Sequence, residues 1–87
     1  MSIPTEKNIN PAFSVKQGQY LAFIYYYSKV NGYPPAQADI QKYFGVSAPT
    51  VHQTILKLET DELISRTPRE SRSLKVLIKT DELPLEW

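Results

Sequence analysis

The chain has no cysteine. That excludes disulfides and thiolate-held metals, and it makes a reducing compartment the natural setting. A single histidine, His52, cannot build a zinc site without partners. With only 3 glycines there is no glycine-rich phosphate loop. No apolar run approaches the roughly 20 residues needed to cross a bilayer. Residues Met1 to Asn10 lack the basic and apolar blocks of a signal peptide, so the expected location is cytoplasmic. No nucleophile stands beside a plausible base. Glu59, Asp61 and Glu62 read as a solvated helix end rather than a catalytic carboxylate pair. An enzyme is therefore the least supported class, and neither a metal nor another cofactor is expected.

Charge of one sign is also scarce: the formal net charge is +1. Its distribution says more than its sum. Between Leu63 and Lys79 stand Arg66, Arg69, Arg72, Lys75 and Lys79 against Glu70 alone, while acids gather at Glu59, Asp61 and Glu62 and again at Asp81, Glu82 and Glu86. A local basic patch matters more to a polyanionic partner than the whole-chain charge does. A solvated hairpin with scattered charge explains the same pattern equally well at this point.

The 87 residues, 41% hydrophobic and 22% charged, suit one small globular domain. Residues 1–13 contain Pro4 and Pro11 without a clear period and read as an N-terminal arm. Ser14 opens a helix, with Gln17 at capping-box spacing. That helix runs to about Val30, where Gly32 and Pro34-Pro35 stop it. Gln17, Tyr20, Leu21, Ile24 and Ser28 share its inner face. A second apolar stripe, Phe23, Tyr26, Tyr27 and Val30, lies beside the first.

A short helix follows from about Ala36 to Phe44, with Asp39 in its first turn and Ile40, Tyr43 and Phe44 on its inner side. Gly45 ends it. The next helix starts at Ser47 to Pro49, with Ser47 or Ala48 as cap, and runs to about Asp61. Val51, Ile55 and Leu58 fall at i, i+4 and i+7. Two strands come next, Leu63 to Thr67 and Ser73 to Ile78, around the turn residues Pro68 to Ser71. In the second, Leu74, Val76 and Ile78 alternate with polar residues, and Leu77 breaks the alternation. The order is three helices and then a two-stranded β-hairpin wing: an α+β, mainly α, winged helix-turn-helix over residues 14–79. Residues 80–87 form an acidic C-terminal tail, either loose or folded back over Trp87.

Across about three quarters of the chain, specific residues carry a resemblance. They are Ser14-Val15-Lys16-Gln17, Gly32-Tyr33-Pro34-Pro35, Ala38-Asp39-Ile40, Phe44-Gly45-Val46-Ser47-Ala48-Pro49 and Ser71-Arg72-Ser73-Leu74. In order and spacing this stretch resembles the N-terminal DNA-binding domain of the LexA repressor family. The resemblance implies a winged helix-turn-helix that reads operator DNA. Two departures stand out. Ala36 occupies a position where the family often has Thr or Ser, and a side-chain cap is worth about 0.5–2 kcal/mol, so the second helix should start more weakly. The family's self-cleaving protease domain is not among these residues, so self-cleavage, dimerisation through that domain and an SOS-response role are not carried over.

Base identity is legible mainly in the major groove, and a helix fits there. With Val51, Ile55 and Leu58 inward, the third helix turns Thr50, Gln53, Thr54 and Lys57 outward. Gln53 can pair bidentately with adenine. Thr50, Thr54 and Ala48 join it as base-reading candidates. Lys57 and Ser47, the latter at a helix N-terminus, suit phosphate. Arg66, Arg69, Arg72 and Lys75 place wing cations on the backbone or in the minor groove. His52 reads as a packed or surface residue. The expected partner is double-stranded DNA. Phe23, Tyr26, Tyr27 and Val30 would be an exposed patch on a bare helix. They suggest either a homodimer face, a docking face for another protein, or a surface covered by residues 1–13 or by the tail.

Overall fold

The computed structural model describes residues 13–78. Helix α1 spans Val15–Asn31. Its start is the capping box expected from the sequence: the Gln17 backbone N–H donates to Ser14 Oγ at 3.1 Å, and the Ser14 N–H donates to Gln17 Oε1 at 2.9 Å. Its end is Gly32, whose φ of 80° lets its N–H turn back to Ser28 O.

Helix α2 spans Gln37–Phe44 and follows the residue Ala36, which has no capping oxygen. Half of a box survives. The Asp39 carboxylate accepts the Ala36 N–H at 2.9 Å, so one orphan donor is satisfied from inside the helix. Gly45, at φ 67°, ends α2. Helix α3 spans Ala48–Thr60 and is capped by Ser47. Only Gly45, Val46 and Ser47 separate the two helices, which is the helix-turn-helix arrangement.

At the end of α3 the chain reverses without glycine. Glu62 takes a left-handed φ of 62°, and the Leu63 N–H reaches back to Leu58 O at 2.9 Å. This reversal drives Leu63 into the core. Strands β1 (Ile64–Ser65) and β2 (Lys75–Val76) then pair antiparallel, Ile64 opposite Val76 and Ser65 opposite Lys75. The ladder is shorter than the alternation suggested. Thr67, the next residue able to extend it, instead donates its N–H to Ser73 Oγ at 2.9 Å, and Pro68 has no N–H to give. Residues 66–74 therefore form a folded wing loop rather than longer strands.

One core serves all of these elements. Tyr20, Leu21 and Ile24 of α1 meet Ile40 of α2, Val51, Ile55 and Leu58 of α3, and Leu63, Ile64 and Leu74 of the hairpin. Tyr20 stacks on Phe44 at 4.4 Å between ring centres. Phe13, read as part of the N-terminal arm, packs against this core. The rest of the arm, Lys79 and the tail with Trp87 lie outside the described residues.

The second stripe of α1 is not a bare face. Phe23 stacks on Tyr43 at 4.5 Å and meets Phe44 edge-on at 5.8 Å. Tyr27 packs against Tyr33 at 6.1 Å and hydrogen-bonds Asp39 at 3.3 Å. Tyr26 meets Tyr25 edge-on. Only Val30 is broadly open, at 83%. The expected four-residue patch is thus corrected. Helix α1 carries Phe23 and Tyr27 on a second side because α2 and the Tyr33 turn cover them there. The four-residue dimer face loses its motive, since Phe23 and Tyr27 are already occupied by their own chain.

Candidate nucleic-acid interface

Val51, Ile55 and Leu58 are fully buried, which fixes the rotation of α3 and turns Ala48, Thr50, Gln53 and Lys57 outward. Thr54 is half-buried at the edge of this face. The Gln53 side chain makes no hydrogen bond among the described residues, so its amide can both donate and accept outward. The two threonines are partly committed. Thr50 Oγ1 lies 2.9 Å from Ser47 Oγ, and Thr54 Oγ1 donates to Thr50 O at 2.9 Å. Thr54 therefore keeps a methyl group and acceptor lone pairs for a ligand, but not its proton.

The helix N-terminus offers less than its position suggests. Pro49 has no N–H, the Thr50 N–H is taken by Ser47 Oγ, and the Val51 N–H by Ser47 O. That leaves the Ala48 N–H for an anion.

Residues from α1 flank this face. Ser14, Lys16 and Gln17 line one shallow groove with Gln53, Thr54 and Lys57. Gln17 fixes the arrangement by donating from Nε2 to Asp61 Oδ2 at 2.9 Å. Asp61 also receives Lys57 Nζ at 3.4 Å, and these contacts, Gln17 first, hold its carboxyl below the ordinary range. The Lys57 side chain is 66% exposed, so this pair is weak and readily exchanged. The sequence reading missed Lys16. Its position two residues after the Ser14 cap was the only signal, and nothing in the α1 periodicity ties it to α3.

The hairpin cations divide into two kinds. Arg69, at a left-handed φ of 67°, and Lys75 are exposed and make no ion pair among the described residues. Arg66 and Arg72 are tied down. Arg66 Nε donates to Glu59 Oε1 at 3.0 Å, fastening the hairpin to α3. Arg72 Nη1 lies 3.1 Å from Asp39 Oδ2, 3.3 Å from Tyr27 Oη and 3.2 Å from Pro34 O, and its guanidinium sits 4.8 Å from the centre of the Tyr33 ring. The Tyr27 hydroxyl and the Asp39 carboxylate raise its pKa further. The Ala36 N–H first, and then Arg72 and Tyr27, hold the Asp39 carboxyl below its usual range. Arg72 was expected on the DNA backbone. Its Nη1 is instead directed into its own protein, because the wing loop folds back over the Pro34-Pro35 turn. Asp39, read only as a helix-dipole residue, is the hub of this contact.

Three helices with an outward polar third helix, followed by a cation-bearing hairpin, define a winged helix-turn-helix DNA-binding domain. The family model described as iron dependent repressor, N-terminal DNA binding domain, matches residues 12–71, and the chain belongs to that family. It is also similar to proteins named LexA repressor. The one from Thermosipho melanesiensis is 39% identical over 67 residues, covering 77% of this chain and 33% of the relative. The one from Bacillus subtilis is 36% identical over 72 residues, covering 82% and 35%. The one from Finegoldia magna is 40% identical over 63 residues, covering 71% and 30%. The chain spans about a third of the length of these curated relatives.

The family's name raises the question of iron. Among the described residues no three His, Cys, Asp or Glu side chains converge on a point that could hold a metal ion, and the Asp39 and Asp61 carboxylates are occupied by protein donors. These residues do not fit a metal, and no part of the interface is routed through one. No described helix is long and apolar enough to cross a membrane.

Proposed function

We propose that this domain binds double-stranded DNA sequence-selectively as a transcriptional regulator, with α3 in the major groove and the hairpin against the backbone or minor groove. The observation that carries the reading is the split of α3. Val51, Ile55 and Leu58 are fully buried, while Ala48, Thr50, Gln53 and Lys57 are exposed on one side. Gln53 is the principal base reader, with Thr50, Thr54 and Ala48 beside it. Ser47, Lys57, Lys16, Arg69 and Lys75 supply phosphate contacts, while Arg66 holds the hairpin to α3. The similarity to proteins named as repressors supports regulation by blocking.

The test is selection of bound duplexes from a random pool, followed by salt titration on the winner. We expect an enriched motif, and an affinity that falls by a hundredfold or more between about 50 and 200 mM salt. A chain that enriches no motif and responds little to salt is not a DNA reader.

A further inference from the structure

We propose that Arg72 is a positioning residue, clasped between Asp39, Tyr27 and Pro34 so that the wing meets the duplex at a fixed angle. The inference rests on the DNA-binding reading above and deepens it.

The wing loop, residues 66–74, has few other anchors. Its strands contribute two ladder pairs, Ile64 with Val76 and Ser65 with Lys75. Inside the loop, Ser73 Oγ accepts the Thr67 N–H and donates to Glu70 O at 2.9 Å, which shapes the loop but ties it to nothing else. Leu74 enters the core and Arg66 reaches Glu59, both at the base. Nearer the tip, the Arg72 side chain is the contact that joins the loop to the helices.

Its geometry suits a clasp. A guanidinium presents planar donors and an aromatic-compatible face together. Here Nη1 meets a carboxylate, a hydroxyl and a carbonyl oxygen within 3.1–3.3 Å, and Cζ lies over the Tyr33 ring at 4.8 Å from its centre. The three acceptors come from α2, α1 and the turn between them, so one side chain references the wing to the whole helical unit. The clasp also masks Asp39. An unpaired carboxylate at the mouth of the wing would repel a polyanion. Arg72 itself takes a left-handed φ of 58°, an uncommon conformation for a residue other than glycine.

The alternative is that Arg72 leaves Asp39 and grips a phosphate. The two accounts differ in what Asp39 does. If Arg72 grips DNA, Asp39→Asn frees a cation and binding stays equal or tightens. If Arg72 positions the wing, Asp39→Asn, which removes the ion pair but leaves a neutral acceptor in the same place, weakens wing protection in the same direction as Arg72→Ala and by less. Asp39→Asn is chosen because the amide oxygen still accepts the Ala36 N–H and α2 keeps its start. Arg72→Lys adds a second arm. Lysine restores the positive charge, but it ends short of the guanidinium's outer nitrogens and has no delocalised plane for Tyr33, so it rescues a phosphate grip more fully than a clasp.

The experiment uses the full chain on the duplex recovered by selection. Two protections are read at saturating protein: hydroxyl-radical cleavage of sugars under the wing, and dimethyl sulfate methylation of guanine N7 in the major groove. Thermal melting of each variant by circular dichroism confirms that it is folded at the assay temperature. Loss of wing protection with major-groove protection kept is expected for Arg72→Ala, and weakened wing protection for Asp39→Asn and Arg72→Lys. The double variant should be no worse than Arg72→Ala alone. Tyr27→Phe, which removes one hydroxyl and keeps the ring packing, should weaken wing protection partially. Wild-type wing protection that survives Asp39→Asn, or is rescued by Arg72→Lys, overturns the clasp alone. Parallel loss of both protections in a folded variant overturns it too, because that is general destabilisation rather than positioning. If the wild-type chain gives no protection of either kind on the selected duplex, the DNA-binding reading fails, and the clasp fails with it.

Discussion

In α3 the outward side chains owe little to the rest of the protein, whereas in the hairpin two of the arginines are tied to it. Gln53 has no partner among the described residues, and Lys57 holds only an exposed pair with Asp61. Arg66 and Arg72 are bound to Glu59 and to Asp39. The reason lies in how each element is held. A helix of 13 residues with three fully buried side chains is rigid without help, so its outer face is free to serve a ligand. A wing with two ladder pairs is not, and it recruits its own cations as fasteners. A charge in the sequence is therefore not yet a charge available at a surface. Discrimination should reside in α3, and the hairpin should contribute general affinity through Arg69 and Lys75.

The largest expected effect breaks the helix side of this contrast. Gln53→Ala should cut discrimination at one base pair by about 5- to 150-fold, the worth of one bidentate contact at 1–3 kcal/mol. Binding to unrelated duplexes should change little, because Gln53 carries no charge. Competition binding with single-base-pair variants of the selected site checks this. Equal loss on every duplex would move Gln53 from reading bases to general contact.

Next in size is a change that separates fold from affinity in the hairpin. Arg69→Gly removes an exposed cation at a φ of 67°, where glycine is at ease. Relief of the left-handed penalty and the greater freedom of the unfolded chain oppose each other, so stability should move by less than about 1 kcal/mol. Affinity for all duplexes should fall by several-fold, and the slope of log affinity on log salt should flatten by about 0.9, one phosphate contact. Fluorescence anisotropy across a salt series, alongside urea unfolding, reads both. An unchanged slope would leave Lys75 as the hairpin's phosphate contact.

How far each region could be read from sequence follows the same division. The inner trio of α3 and the Ser14–Gln17 box are local patterns, written within a few residues, and the structure reproduces them. The clasp joins Asp39 to Arg72, far apart in the chain, and no local rule pairs them. The spacing of Ala36 and Asp39 was a usable hint that the carboxylate turns back to the backbone, but not that it would also hold the wing. Periodicity found the Phe23 and Tyr27 stripe correctly as apolar. It could not show that Tyr43, Phe44 and Tyr33 cover it, because a period describes one element and not its neighbour. The strands came out short for a related reason: the Ser73 hydroxyl, not a ladder partner, takes the Thr67 N–H.

The smallest expected effect is an acid dependence shared between the two regions. Asp39 anchors the wing and Asp61 joins α3 to the start of α1, and protein contacts lower the pKa of each. The sign follows from proton counting. In acid the unfolded chain binds protons at these carboxyls more readily than the folded one, so stability rises with pH there. Their contribution is fully present above the ordinary carboxylate range. It fades from about pH 5 downward and is lost once the pH falls through the lowered folded values. Urea midpoints at neutral and acidic pH should therefore decline in the wild type. Asp61→Asn and Asp39→Asn should each start lower at neutral pH and decline less, and Asp39→Asn alone should also loosen the wing. If Asp61→Asn removed the acid dependence entirely, the Asp39 cluster would contribute nothing to stability, and the wing would be held by Leu74 and Arg66 at its base.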